Sequence, residues 1–151
     1  MSKLTLKSLL VLALLTLTSI TSGTPATEVN DQEHFSVQLP DGFRVVKASP
    51  VEDFEMYTIS KGAQPYLYVY VGNQPAFPKR MGSAGSDVSE LEGPNVSIRS
   101  EWKGAQLLGR ELLFKVANPK GWPTRIHAWT AQLQSSQVQV ADRILFSMKT
   151  K

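Results

Sequence analysis

The chain has 151 residues, 42% of them hydrophobic and 19% charged, with a formal net charge of +3 and no cysteine. This is the composition of one ordinary globular domain, and it excludes a disulfide-stapled module, a thiol nucleophile and a thiolate metal site. Two of the basic residues, Lys3 and Lys7, belong to the extreme N-terminus. The remainder carries about +1, too little for a nucleic-acid footprint.

Residues 1–23 have the three parts of a signal peptide: Lys3 and Lys7, the apolar run Leu9–Leu17, then the small and polar stretch Thr18–Ala26. The apolar run is shorter than the roughly 20 residues a spanning helix needs. Cleavage after Ser22, Gly23 or Ala26 is expected, with export to the periplasm or medium and no membrane contact afterwards. Residues 24–33 are polar and read as a flexible linker, and residues 34–151 as a single globular α+β domain. An exported domain without disulfides must rest on its core alone, which suits a bacterial periplasm.

Phe35, Val37 and Leu39 alternate with Ser36 and Gln38 and stop at Pro40-Asp41-Gly42, a turn triplet. Phe43–Ala48 reads as the return strand of a first hairpin. Ser49-Pro50-Val51-Glu52 has the form of a helix start, followed by an alternating strand to Lys61. In the Tyr66–Val71 strand, Tyr66, Tyr68 and Tyr70 fall on one face and Leu67, Val69 and Val71 on the other. A strand apolar on both faces belongs in the middle of a sheet.

Residues 79–95 lose the hydrophobic signal and read as a long loop, which in a compact domain is usually mobile or functional. Its Asn95-Val96-Ser97 fits a glycosylation acceptor, a weak match. Val96–Lys103 alternates cleanly, and Gly104-Ala105 joins it to a partner strand carrying Leu108, Leu112, Phe114 and Val116, with Arg110 interrupting that side. A further strand spans Thr124–Leu133. Ser135 or Ser136 then caps a terminal helix whose Val138, Ala141, Ile144, Leu145 and Met148 form one apolar stripe. Lys149 and Lys151 are placed at its C-terminal end, where positive charge suits the helix dipole. The expected fold is α+β: a single antiparallel sheet of about six to seven strands in sequential hairpins, with the C-terminal amphipathic helix packed on it.

Three strings carry a family resemblance: Phe35–Phe43 (FSVQLPDGF), the tyrosine-rich strand with Gly72-Asn73, and Ala141-Asp142-Arg143-Ile144-Leu145. In pattern the chain resembles small exported proteins of the Mog1/PsbP-like architecture. The long loop and the lack of a clear N-terminal helix depart from that pattern. The resemblance implies an antiparallel sheet flanked by helices and a binding or accessory role. It carries over no catalytic residues.

His34 and His127 are the only histidines, without metal-ligand spacing; Arg125, His127 and Trp129 share a strand face. A sheet-face histidine beside a tryptophan is the plainer account of His127 than acid/base catalysis. There is no G-x-S-x-G elbow, and Gly82-Ser83-Ala84-Gly85-Ser86 lacks a phosphate-loop ending. The acid clusters Glu52, Asp53, Glu55 and Asp87, Glu90, Glu92 read as solvated faces rather than glycosidase pairs.

Tyr66, Tyr68 and Tyr70 are either cross-strand packing under the helix or a partly exposed platform. Beyond them, Gln74–Arg80 sets Phe77 between two prolines with Lys79 and Arg80 following, a stiffened contact element or a plug at the edge of the core. The candidate partner-binding residues are Tyr66, Tyr68, Tyr70, Asn73, Phe77, Lys79 and Arg80. The expected function is non-enzymatic binding of a protein in the cell envelope, as an accessory, inhibitor or immunity factor. No cofactor, metal or nucleic acid is expected. The alternatives are a carrier of a small apolar ligand between sheet and helix and, last, a hydrolase.

Overall fold

Ten strands and one helix make up the described chain, which in this computed structural model comprises residues 27–48, 53–79 and 82–151. The strands are β1 (Thr27–Asp31), β2 (Phe35–Pro40), β3 (Phe43–Lys47), β4 (Phe54–Lys61), β5 (Gln64–Gly72), β6 (Asp87–Glu92), β7 (Val96–Lys103), β8 (Gln106–Lys115), β9 (Arg125–Thr130) and β10 (Lys149–Thr150). The helix α1 is Ser135–Phe146. The antiparallel α+β class and the C-terminal helix are as expected. The single sheet is not: there are two, a three-stranded sheet in the order β1-β2-β10 and a seven-stranded one in the order β3-β4-β5-β9-β8-β7-β6.

The larger sheet is two meanders, β3-β4-β5 and β6-β7-β8-β9, joined where β5 pairs with β9. β5 is therefore flanked on both sides, as its two apolar faces require. The expected run of sequential hairpins breaks at this junction, because β6, next in the chain after β5, lies at the far edge of the sheet. The expected first hairpin is also absent. β2 pairs with β1 and β10, whereas β3 pairs with β4. Gly42, at φ +79°, turns the chain out of one layer and into the next.

Two segments without hydrophobic periodicity are strands all the same. Thr27–Asp31, within the expected linker, is β1, and Asp87–Glu92, within the expected loop, is the exposed edge strand β6. Both are held by backbone ladder bonds to one neighbour, which leave no apolar signature. The expected helix start at residues 49–52 lies outside the described residues, as do residues 1–26.

The core lies between the large sheet and a layer formed by α1 and the small sheet. Leu67, Val69 and Val71 of β5, Tyr57 and Ile59 of β4, Ile126 and Ala128 of β9 and Leu112 of β8 are buried on that side. From the other layer come Phe35, Val37 and Leu39 of β2 and Val138, Ala141, Ile144 and Leu145 of α1. Each such large side chain contributes about 1.5–3 kcal/mol by leaving water. Arg110, which breaks the apolar face of β8, meets Asp142 of α1 in an ion pair at 2.7 Å. The cap of α1 is Gln134 rather than a serine, with its backbone N–H donating to Gln137 Oε1 at 3.0 Å. Beyond the helix, Met148 completes the buried stripe, and Lys149 belongs to β10 rather than to a helix end.

Candidate functional site

The sheet face turned away from α1 carries the unusual chemistry. It presents Phe54 and Met56 of β4, Tyr68 and Tyr70 of β5, His127 and Trp129 of β9, Glu111 of β8, and Arg99 and Glu101 of β7, in register across five strands. Residues 73–79 and 82–86 cross this face. Alternation along five paired strands is enough to collect these residues, because period-two side chains line up once the register is set.

Tyr68 lies over Trp129 with ring centroids 5.7 Å apart, Trp129 over His127 at 4.6 Å, and Phe54 stacks on Tyr70 at 5.4 Å. Gly72 makes the last arrangement possible. A Cβ there would lie 2.4 Å from Tyr70 Oη and 3.1 Å from Phe54 Cβ. Gly72→Ala is therefore expected to push the Tyr70 ring off Phe54 and to release the hydrogen bond that Gln74 N–H donates to Tyr70 Oη at 3.1 Å. Near-ultraviolet circular dichroism should report the lost stacking while the far-ultraviolet spectrum stays that of the native sheet.

Two clefts meet at Phe54, Tyr70 and Gln74. One, of about 700 Å³, runs toward Asp53, Asn73 and Trp122. The other, of about 280 Å³, is bounded by Met56, Ala76, Lys79, His127 and Trp129. The smaller cleft is walled mainly by apolar and aromatic side chains, the usual make-up of a small-ligand or side-chain pocket, whereas the larger sets Phe54, Tyr70 and Trp122 among the polar Asp53, Asn73 and Gln74.

Below the second cleft lies a network of buried charge. Glu111 is 3% exposed, Arg99 7% and His127 0%. Glu111 Oε2 accepts the backbone N–H of Lys79 at 2.7 Å and faces His127 Nε2 at 3.3 Å. Arg99 approaches Glu111 Oε1 at 3.7 Å and donates from Nε to Glu90 at 3.1 Å. Buried Glu101 accepts Ser83 N–H at 2.7 Å and the Ser86 hydroxyl at 2.9 Å. The two carboxylates thus hold residue 79 and residues 83–86 down on the sheet, each acting as an acceptor for the backbone of a connecting segment. The glycine- and serine-rich stretch 82–86 is anchored here through Ser83 and Ser86.

The expected site residues separate on this geometry. Tyr70 and Lys79 line the second cleft, with Lys79 Nζ 5.1 Å from the Trp129 ring centre. Tyr68 is beside them on Trp129. Tyr66 is not with them: the register shift opposite Ile59/Ser60 turns it into the core, where it packs edge-on against Phe43 at 4.8 Å. The tyrosine row is accordingly two residues, and neither lies under the helix. Asn73 lines the larger cleft but is occupied structurally. Its Oδ1 accepts from Thr124 N–H at 2.9 Å, and its Nδ2 donates to Gly121 O at 3.2 Å. Phe77 points inward, edge-on to His127 at 5.4 Å. Arg80 lies outside the described residues.

Residues that sequence reasoning passed over are Phe54, Met56, Trp122, Arg99 and Glu111, while Gln74 and Trp129 enter it only as the start of the contact segment and as the neighbour of His127. Arg99 and Glu111 are each other's register partners on β7 and β8. A plain two-residue hairpin at Gly104-Ala105 would set Arg99 opposite Arg110; the bulge at Glu101/Trp102 shifts the register by one and brings Glu111 there instead, which the sequence did not signal.

A third cluster lies beyond Trp122, whose ring meets His34 edge-on at 5.1 Å. The ligand atoms of Glu33, His34 and Glu55 lie within 4.8 Å of one another, as a metal site would require. Glu55, however, already accepts from the Lys47 ammonium and from the Tyr57 hydroxyl, so a cation is built in. Burial pushes the Glu55 carboxyl up, but the hydrogen bonds from Lys47 and Tyr57 with the charge of Lys47 outweigh it and hold the group below its ordinary value of 4.5. A carboxyl depressed in the folded state adds stability that is present above pH 4.5 and is lost as pH falls through the lower, folded value. Glu55→Gln is therefore expected to flatten the acid limb of a plot of Tm against pH below that point. A limb of unchanged steepness would place the acid sensitivity elsewhere.

Comparison with family models, with curated proteins and with solved structures gives no match to this chain. Among the described residues no helix is long and apolar enough to cross a membrane.

Proposed function

We propose that the protein is an exported, non-enzymatic binding protein of accessory, inhibitor or immunity type, and that it grips a protein partner through the aromatic clefts on the helix-free face. The observation that carries this is the meeting of two clefts at Phe54, Tyr70 and Gln74, lined by the aromatic side chains of Phe54, Tyr70, Trp122 and Trp129 and rimmed by Asn73, Lys79 and Asp53. Half-buried tyrosine and tryptophan offer contact area at low entropic cost, as interface hot spots do. The N-terminal signal pattern supports export, and the resemblance to Mog1/PsbP-like proteins is in keeping with an accessory role.

Acid/base chemistry is the weaker reading. The fold does give His127 the carboxylate partner that the sequence did not reveal. Among the described residues no protein hydroxyl is hydrogen-bonded to the imidazole, so no side chain is placed as a covalent nucleophile beside it. A carrier role has one specific observation in its favour. Where α1 meets β2 and β3, a groove of about 480 Å³ has Phe43, Val140 and Ile144 in its walls and Lys61 and Arg143 at its rim. Asp41 lines it as well, and the apolar wall would suit a small apolar ligand, which native mass spectrometry of the purified protein would detect.

The protein-contact reading is tested by capture from an envelope extract with the wild-type domain and with Tyr70→Ala. One partner retained by the wild type and reduced at least tenfold by the substitution is the expected result, about the loss of a modest hot spot. Equal capture by both proteins would remove the cleft from the interface.

A further inference from the structure

The smaller cleft sets an apolar wall beside a cation that has no counterion. Phe54, Met56, Tyr70 and Trp129 form most of the wall, and among the described residues no carboxylate lines it. Lys79 is exposed, yet its side chain has a definite place, with Nζ 5.1 Å from the centre of the Trp129 ring. The backbone beneath it is fixed too, because its N–H donates to Glu111 Oε2 at 2.7 Å. Among the described residues no aspartate or glutamate comes within ion-pair distance of the ammonium. Glu111 is 3% exposed and turned to Lys79 N–H, His127 and Arg99, so it does not serve as that counterion. The charge is left at the mouth of an apolar cavity, where an anion is attracted more strongly than on open surface.

The wall says what should come with the anion. Phe54, Tyr70 and Trp129 offer ring faces and edges, and Met56 a thioether, surroundings that favour an aromatic guest. The volume is about 280 Å³, whereas a cavity of roughly 150 Å³ already accepts benzene, so one ring with a short polar substituent fits. The cleft is also continuous with the larger one, of about 700 Å³, at Phe54, Tyr70 and Gln74. A chain lying in the larger cleft therefore has room to place a ring in the smaller. An aromatic residue inside that chain would bring the ring but no anion, and an acidic one the anion but no ring. A chain end brings both on one residue.

We infer that the Lys79 branch of the cleft takes the C-terminal residue of the protein partner, its aromatic side chain against Phe54, Tyr70 and Trp129 and its α-carboxylate on the Lys79 ammonium. This rests on the protein-contact reading above and adds which part of the partner enters. Chain-terminal carboxylates are a recurring handle in peptide recognition.

The test uses three probes on the wild-type protein: N-acetylphenylalanine, its C-terminal amide (the same ring without the charge) and phenylacetate. Titrations followed by 1H–15N spectra read the Trp129 indole N–H. N-acetylphenylalanine is expected to shift that signal and to bind about fivefold more tightly than the amide, the upper range for an ion pair that water still reaches. Lys79→Met keeps an apolar stem over Trp129 and should bring acid and amide to equal affinity, and added salt should narrow the difference in the wild type. No binding of either probe, equal binding by the wild type, or a preference that survives Lys79→Met would overturn the inference. Binding of phenylacetate but not of N-acetylphenylalanine would overturn the chain-end assignment in favour of a free aromatic acid. Treating the envelope extract with carboxypeptidase A, which removes C-terminal aromatic residues, should lower capture of the partner at least tenfold, and unchanged capture would overturn that assignment as well. If capture remains sensitive to Tyr70→Ala while acid and amide bind alike, the inference fails alone and the protein-contact reading stands.

Discussion

Arg99→Ala is expected to destabilise the domain by about 3–5 kcal/mol, the cost of leaving a buried carboxylate without its cation. Glu111 is 3% exposed and Arg99 7%, so water cannot take over when the guanidinium is removed. For a domain of this size the loss corresponds to a fall in Tm of roughly 10–20 °C. The partner to this experiment is Arg99→Met with Glu111→Leu. Replacing both charges by apolar side chains should recover a large part of the stability, though it leaves Lys79 N–H without its acceptor. Thermal melts of the three proteins decide the matter. A single substitution with a Tm near that of the wild type would mean that the network is solvated and that Glu111 does not depend on the guanidinium for its charge.

The second large effect is at the helix. Leu145 and Ile144 are 0% and 1% exposed where α1 covers the sheet, whereas their neighbour Phe146 is 49% exposed. Leu145→Ala removes a filled volume and leaves a cavity, for an expected loss of about 2–5 kcal/mol. Phe146→Ala removes more atoms from the surface and is expected to cost below about 1 kcal/mol, including its contact with the Arg110 guanidinium at 4.8 Å. Urea unfolding midpoints compare the two directly. Equal losses would contradict the placement of the helix with its Val138–Leu145 stripe against the sheet.

The parts of this fold that could be seen in the sequence are those where burial writes a period into the chain. β5, β7 with β8, and the stripe of α1 are such cases, although the face of β7 that reads as wet, with Ser97, Arg99 and Glu101, is the buried one, covered by the segment that crosses the sheet there. β1 and β6 left no such mark because they are edge strands, held by backbone bonds that any residue can make. The assignment of β2 and β3 to different sheets was also hidden. Pro40-Asp41-Gly42 reads as a turn whether the chain folds back in plane or crosses to another layer. The tyrosine row failed for a local reason: one extra residue in β5 opposite Ile59/Ser60 reverses the side to which Tyr66 points.

The candidate site was half visible. Tyr68, Tyr70 and Lys79 come together as the alternation and the adjoining loop suggest. Glu111, Arg99 and His127 come from three strands, and only the register brings them into one network. Trp122 arrives from a turn, tied through its indole N–H to Asp53 O at 3.4 Å. No local pattern encodes that meeting.

Amide hydrogen exchange on the domain alone and with its captured partner tests the central claim most directly. Binding at the helix-free face predicts new protection in residues 54–56, 70–79 and 127–129, with the amides of Ser135–Phe146 unchanged. Protection confined to α1, or to the exposed edge Asp87–Glu92, would contradict it.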